Sequence, residues 1–427
     1  MNNELSLWGK GMLAISVFLP FWLWGVLEQG MFVDGLTYAS ISRNLSIGLG
    51  SFWHPHYWND SFYGHPPLFF GLESLVFRVL GDSIWIEKSV SLLLNVGIFI
   101  SFFPLLKWIN PRLDRWLIAT LWAILPLVCW SAGAHILDTP LTLSTLWAVG
   151  LAYHPVRKEK AWPGLVSGLL IGISVGIKGP VGLFPFLVFL LTSGNLREKI
   201  GFFIQQLLGF LLLAVPVFAG EEGRDFFTNY LKIQVWGSME EPHRGLFFQH
   251  GLQCFLPFVV VRMLVSGSFR IPRTIWIGWA KVFLVLLPLL LSGKQHDYYW
   301  LPFLPWMAIA TFSDEKSVLL PKKIRPLTWI LFLFMGVEIW WHTGEKERDR
   351  EQILAMEKFS NFLPDGSLVG HQPPLDQDWV WIAYGIRYHR WWNRGMSDVG
   401  FYFSTDSTNA LASSGKYHLK KVPLKHE

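Results

Sequence analysis

Long apolar runs separated by short polar connections fill most of the chain, the pattern of helices that cross a bilayer in succession. A spanning helix needs roughly 20 apolar residues. Windows near that length fall at 8–28, 84–106, 115–133, 137–153, 162–178, 180–194, 202–219, 251–267, 274–292, 297–313 and 326–342. They predict an α-helical polytopic membrane protein of about eleven transmembrane helices. The first connection, 28–83, is long, and inside it Pro67 to Leu80 carries an apolar face (Phe69, Phe70, Leu72, Leu75, Val76, Phe77) suited to lying in the interface plane. Beyond 342 the pattern changes: helix-like stretches at Glu345 to Phe359 and Trp379 to Trp391 alternate with strand-like ones at 367–370, 399–404 and 417–422. The expected organisation is a transmembrane domain over 1–342, containing the outer loop 28–83, followed by a small α/β outer domain over 343–427. Gly11 to Leu27 resembles a signal-peptide core, but no small-residue cleavage site follows it, so an uncleaved first span is expected.

Composition agrees with this picture. With 52% hydrophobic and 16% charged residues and a mean hydropathy of +0.34, the chain is too apolar for an ordinary soluble domain. The 24 Trp and 34 Phe fit aromatic belts at the membrane surfaces as well as helix packing. A net charge of +5 would point to nucleic acid in a soluble chain; here the basic residues sit between apolar runs, where they set topology, so a nucleic-acid partner is not expected. Cys129 and Cys254 lie inside apolar stretches and read as small buried hydrophobes.

Basic residues alternate with the spans. With the N-terminus cytoplasmic, the inner connections hold Lys107, Arg112 and Arg115; Arg157, Lys158 and Lys160; Arg197 and Lys199; Arg270 and Arg273; and Lys316, Lys322, Lys323 and Arg325. The outer connections then hold nearly every polar cluster of chemical interest. A single extracytoplasmic site follows, with the C-terminal segment on the same side.

Asp34 directly follows the first apolar run. A carboxylate at a membrane edge is costly enough to need a use, although Asp is also a favoured helix N-cap and Gly35 to Leu49 looks amphipathic. Arg43 lies on the same predicted helix. His65 precedes Pro66-Pro67-Leu68, a helix start where a positive end beside an imidazole favours an anion; a structural histidine is the plainer alternative. Asp138, before Thr139-Pro140, opens a span and has the makings of a cap. Lys178, in Lys178-Gly179-Pro180, is an outer lysine that needs a partner. Lys294, with Tyr298 and Tyr299, offers a cradle for a lipid phosphate, where the tyrosines alone would pass for interface aromatics. His54, His56, His65 and Asp60 match no closed metal template.

These segments together resemble the membrane-embedded C-superfamily glycosyltransferases, close to glycosyltransferase family 39, which includes protein O-mannosyltransferases and aminoarabinose transferases of lipid A. The carrying pieces run in order over roughly the first 310 residues: Asp34-Gly35 with Tyr38-Ala39 and Ile41-Ser42-Arg43-Asn44, Gly50-Ser51-Phe52-Trp53, His65-Pro66-Pro67-Leu68, Leu80-Gly81, Leu137 to Leu141, Lys178-Gly179-Pro180, and Gly293 through Tyr299 to Pro302. The resemblance implies that Asp34 is the general base and that Asp138 is the second-loop aspartate. It also implies that His65 occupies the place of a basic residue near the donor phosphate, and that Tyr298 or Tyr299 is the late tyrosine near the lipid phosphate. Many relatives carry Asp-Glu where this chain has Asp34-Gly35, which removes a second carboxylate.

The expected activity is transfer of a sugar from a polyprenyl-phosphate donor to a hydroxyl or phosphate of a glycan, lipid or protein acceptor. Asp34 and Asp138 are the expected catalytic residues, and Arg43, His65, Lys178, Lys294, Tyr298 and Tyr299 the expected phosphate holders. One carboxylate base favours single displacement with inversion. No cofactor is expected, a divalent cation being the open alternative. The expected location is the bacterial inner membrane. A secondary transporter is the rival reading, but carriers place polar groups at the bilayer midplane in inverted repeats, and no repeat is visible here.

Overall fold

A computed structural model of the chain describes residues 7–58, 60–188, 195–237, 243–244, 247–266, 271–291, 294–312, 337, 348–393 and 399–422. Helices dominate, as the apolar runs predict. By length and composition, Ile84–Ile109, Trp162–Leu183 and Leu196–Ala219 can cross a membrane, and the bent pair Arg115–Ala123 and Pro126–Ala134 adds a fourth crossing if it is one span. The 65° bend between the pair has a local cause. Pro126 sits at the first position of its helix and cannot donate to the preceding turn, while Leu125 before it is extended.

Other windows appear as Leu7–Leu27, Asp138–Gly150, Phe247–Ser266 and Arg273–Leu291. Two are interrupted. The 180–194 window opens with a 3-10 stretch, Gly179–Leu183, and the 297–313 window divides into a 3-10 stretch, Asp297–Phe303, and a short helix, Leu304–Phe312. The window at 326–342 lies outside the described residues except for Val337. Among the described residues, three helices, or four with the bent pair, meet the length and composition of a crossing, and Leu7–Leu27, Phe247–Ser266 and Arg273–Leu291 are helices of 21, 20 and 19 residues. Proline and 3-10 breaks cut several apolar runs below bilayer length.

The two ends of the helix layer are chemically distinct. Helix Trp162–Lys178 ends where Lys178 pairs with Asp138, the first residue of Asp138–Gly150, so these neighbours run antiparallel. At the far end His154 packs edge-on against Trp162, with ring centroids 4.8 Å apart, next to the basic stretch Arg157–Lys160. Seventeen residues of helix separate these ends, about 25 Å at 1.5 Å per residue.

Two helices rise from the first loop, Val33–Ser46 and Leu68–Leu80. The first is not an exposed amphipathic helix: Leu36, Ala39, Ile41, Arg43 and Asn44 are all buried. The residues from 348 onward cover it. They form a five-stranded sheet in the order 392–393, 368–371, 401–404, 417–421, 412–414, the first three strands parallel and the others antiparallel. Helices Arg350–Ser360 and Trp379–His389 complete it, close to where the sequence pattern places helices and strands. Met31, Leu36 and Ala39 share one apolar core with Met356, Phe359, Trp381 and Ile386.

Charge fixes the same junction. Arg387 makes paired bonds to Glu87 at 2.9 and 3.0 Å and reaches Asp82 at 2.8 Å. Arg43 donates to the carbonyls of Ile386 and Arg387 at 3.0 and 3.1 Å, satisfying carbonyls of the last turn of helix Trp379–His389. Glu87 and Arg387 are almost wholly buried. Replacing Arg387 with Met is expected to destabilise the fold by about 3–5 kcal/mol, because Glu87 is left buried and unpaired. Thermal unfolding of the purified protein, with limited proteolysis after residue 348, measures this; an unchanged midpoint refutes the role of the staple.

Candidate functional site

Asp34 stands in the first turn of Val33–Ser46, and its position is set by the backbone before and after it. Lys88 donates to the carbonyl of Gly30 at 3.1 Å and also contacts that of Glu28, while the Met31 amide donates to Tyr384 Oη at 2.9 Å. Gly35 lies so close to the corner after helix Pro126–Ala134 that a Cβ there would sit 2.2 Å from the Ala134 carbonyl oxygen. The absence of a second carboxylate beside Asp34 is thus a packing requirement of this backbone. Asp34 Oδ2 accepts a hydrogen bond from Tyr298 Oη at 3.0 Å.

The Tyr298 ring joins that carboxylate to a cation. Lys178 Nζ stands 5.3 Å from the ring centre of Tyr298 and 4.3 Å from that of Tyr299, while forming a buried ion pair with Asp138. Gly179 turns the chain out of the lysine's helix at φ +76°, where a Cβ would also strike Tyr230 Oη. Tyr230 donates from that oxygen to the Lys178 carbonyl at 3.3 Å. Lys178 is held at a helix end on one side and by Asp138 on the other.

His65 packs edge-on to Tyr38 with centroids 5.4 Å apart, and its Nδ1 is buried with no hydrogen-bond partner. Burial, reinforced by the positive charges of Lys178 and Lys294, pushes its pKa down to about 3. At neutral pH it is an uncharged imidazole, so it enters the site as a polar ring and not as the counter-charge of a phosphate. Lys294 lies on a two-residue strand paired in parallel with 243–244. Burial, and then the charge of Asp34, pushes the Tyr38 phenol upward, keeping it a neutral donor.

The structure therefore brings together Asp34, Asp138, Lys178, Tyr298 and Tyr299, with His65 and Lys294 within electrostatic reach. It takes Arg43 elsewhere, because its guanidinium is committed to Asp82 and to the carbonyls of 386 and 387. Sequence reasoning left Tyr38 and Tyr230 without roles. Tyr38 stands inside the motif that carries Asp34, one helical turn on, and that spacing was the available signal; Tyr230 had none. His135 likewise gave no signal, yet its Nε2 lies 3.1 Å from Glu73 Oε2 in the buried corner under Gly35. Among the described residues, no group of three or more His, Cys, Asp or Glu is placed to hold a metal ion.

Residues 64–219 match the family model described as dolichyl-phosphate-mannose-protein mannosyltransferase, a span that includes His65, Asp138 and Lys178. No curated protein gives a significant sequence match. Among solved structures the chain aligns with ArnT from Cupriavidus metallidurans bound to undecaprenyl phosphate at a TM-score of 0.66 and 14% identity, over 97% of this chain and 98% of that one. Apo ArnT from the same organism aligns at 0.49 and 17% identity, over 82% and 64%. The oligosaccharyltransferase AglB from Archaeoglobus fulgidus, in complex with an inhibitory peptide and a dolichol-phosphate, aligns at 0.45 and 11% identity, over 92% and 65%. The first of these shows a shared fold along nearly the whole of both chains.

His65 yields a pH prediction. Its folded pKa of about 3 lies below the ordinary value of about 6.5, so the folded state binds fewer protons between those values. Its contribution is complete above pH 6.5 and declines as pH falls toward 3. The difference in unfolding midpoint between wild type and His65→Gln is expected to shrink across that interval; a difference independent of pH refutes it.

Proposed function

We propose that this chain, whose 64–219 segment and fold are of the membrane-embedded C-superfamily, family 39-like type, transfers a sugar from a polyprenyl-phosphate donor to an acceptor hydroxyl or phosphate. One observation carries the reading: Tyr298 links a carboxylate to a buried cation, hydrogen-bonding Asp34 while its ring lies beside Lys178. A proton acceptor and an anion holder at one point are what this reaction needs. Asp34 takes the proton of the acceptor as its oxygen bonds to the anomeric carbon. The bond from that carbon to the phosphate oxygen breaks in the same step, and polyprenyl phosphate leaves with the electron pair. Lys178 and Lys294 stabilise the charge that develops on the phosphate, and Tyr299 and neutral His65 shape its seat. Displacement from the opposite face inverts the anomeric centre.

Asp138 keeps Lys178 charged and aimed, a positioning role. A buried lysine without a partner would give up its proton and with it the phosphate contact. The basic connections at the end remote from the site support a reaction on the extracytoplasmic side of a bacterial inner membrane.

Replacing Asp34 with Asn is expected to lower kcat by about 10²–10⁴-fold with donor affinity nearly unchanged. Tyr298→Phe keeps the ring and is expected to cost on the order of tenfold, the loss of one bond to a charged group. Both are measured with a polyprenyl-phosphate sugar and membrane acceptor extract, using thermal unfolding to confirm the fold. Near-normal turnover by the Asn variant sinks the base assignment.

A further inference from the structure

The helix layer holds a lysine for which the transfer reaction has no use. Lys281 stands eight residues into helix Arg273–Leu291, about 12 Å from its start at 1.5 Å per residue. A cation at that depth in an apolar helix is costly and marks a function involving a group of opposite charge.

Lys281 lines a cavity of about 220 Å³ that is otherwise apolar except for Thr274 and the polar tips of Tyr153 and Trp306. Phe303, which ends the 3-10 stretch carrying Tyr298 and Tyr299, packs on Phe184 at the deep wall, with ring centroids 4.9 Å apart. The remaining wall comes from the other end of the layer. Tyr153 lies just before the basic stretch Arg157–Lys160, and Thr274 directly follows Arg273. Ile277 lines the cavity and is itself exposed, as is its neighbour Trp276, so the mouth opens on the side that faces lipid.

The charges around this cavity are of one sign. The charge of Lys199 acts on Lys281, and that of Arg157 acts on Tyr153. Glu198, beside Lys199 in the chain, is engaged by Lys158 at 3.1 Å. Among the described lining residues none is acidic. Trp306 stacks on Tyr153 with centroids 6.4 Å apart, and its Nε1 is buried with no hydrogen-bond partner. A donor left open beside hydrocarbon needs an acceptor, and the ester carbonyl of a phospholipid is one that reaches such a depth.

We propose that this cavity is a site for an anionic phospholipid of the leaflet at the basic end of the helices. On the topology proposed above, that is the cytoplasmic leaflet. Lys281 extends its stem toward the headgroup phosphate, Trp306 donates to an ester carbonyl, and an acyl chain fills the space against Phe184 and Phe303. The tail of a polyprenyl phosphate held at Lys178 would fill the same apolar space but would bring no anion to Lys281. Charge therefore selects the phospholipid, and the site stands whether or not the transfer reading does.

The test is native mass spectrometry of the delipidated full chain titrated with phosphatidylglycerol, phosphatidylcholine and polyprenyl phosphate. Wild type is expected to retain phosphatidylglycerol in preference to phosphatidylcholine. Lys281→Gln is expected to reduce that preference about fivefold, the worth of one lysine facing an anionic lipid. Lys281→Arg keeps the charge and should keep the preference, which separates a headgroup contact from a folding defect. Trp306→Phe keeps the ring and is expected to weaken both phospholipids by a similar factor, because both carry the ester. Equal retention of the two phospholipids by wild type, or an undiminished preference in Lys281→Gln, overturns the proposal. Displacement of phosphatidylglycerol by polyprenyl phosphate overturns it as well, making the cavity a seat for the donor's tail.

Discussion

A lysine ammonium buried at the end of a helix is unsustainable without an anion, and the pairing of Lys178 with Asp138 meets that constraint. The pair ties the end of one apolar helix to the start of its antiparallel neighbour. It leaves the ammonium facing the rings of Tyr298 and Tyr299, and Tyr298 passes the connection on to Asp34. Four stretches far apart in the chain converge on one point because a buried charge must be satisfied there.

Asp34 itself is positioned by groups that take no part in the chemistry. Its helix is sparsely apolar, yet it is buried because residues 348–422 fold over it and share its core. Arg43 closes the contact by satisfying carbonyls at the end of a C-terminal helix, and Arg387 returns the link to Glu87 at the foot of helix Ile84–Ile109. The C-terminal segment is a structural part of the site. A cover held by buried charge-assisted bonds fixes the helix that carries Asp34.

Gly35 shows how a departure from the pattern of relatives can follow from packing. Where they carry a second acidic residue, this chain brings its backbone against the Ala134 carbonyl, leaving no space for a side chain.

The sequence alone determined the membrane character and named Asp34, Asp138, Lys178 and the late tyrosines as one group, which the fold brings together. Each rests on local hydropathy, charge or motif order, which the chain displays residue by residue. It also placed both helices and three of the five strands described after residue 348, since their periodicities are local; the short strands 392–393 and 412–414 carry no such pattern. Only tertiary structure decided the rest. Arg43 turned from phosphate holder to structural staple, and His65 became a neutral ring, because partners and desolvation depend on what packs around a group and not on its neighbours in the chain. The apolar runs cut short by proline and 3-10 turns were likewise unreadable from hydropathy, which measures composition over a window and is blind to the backbone direction within it.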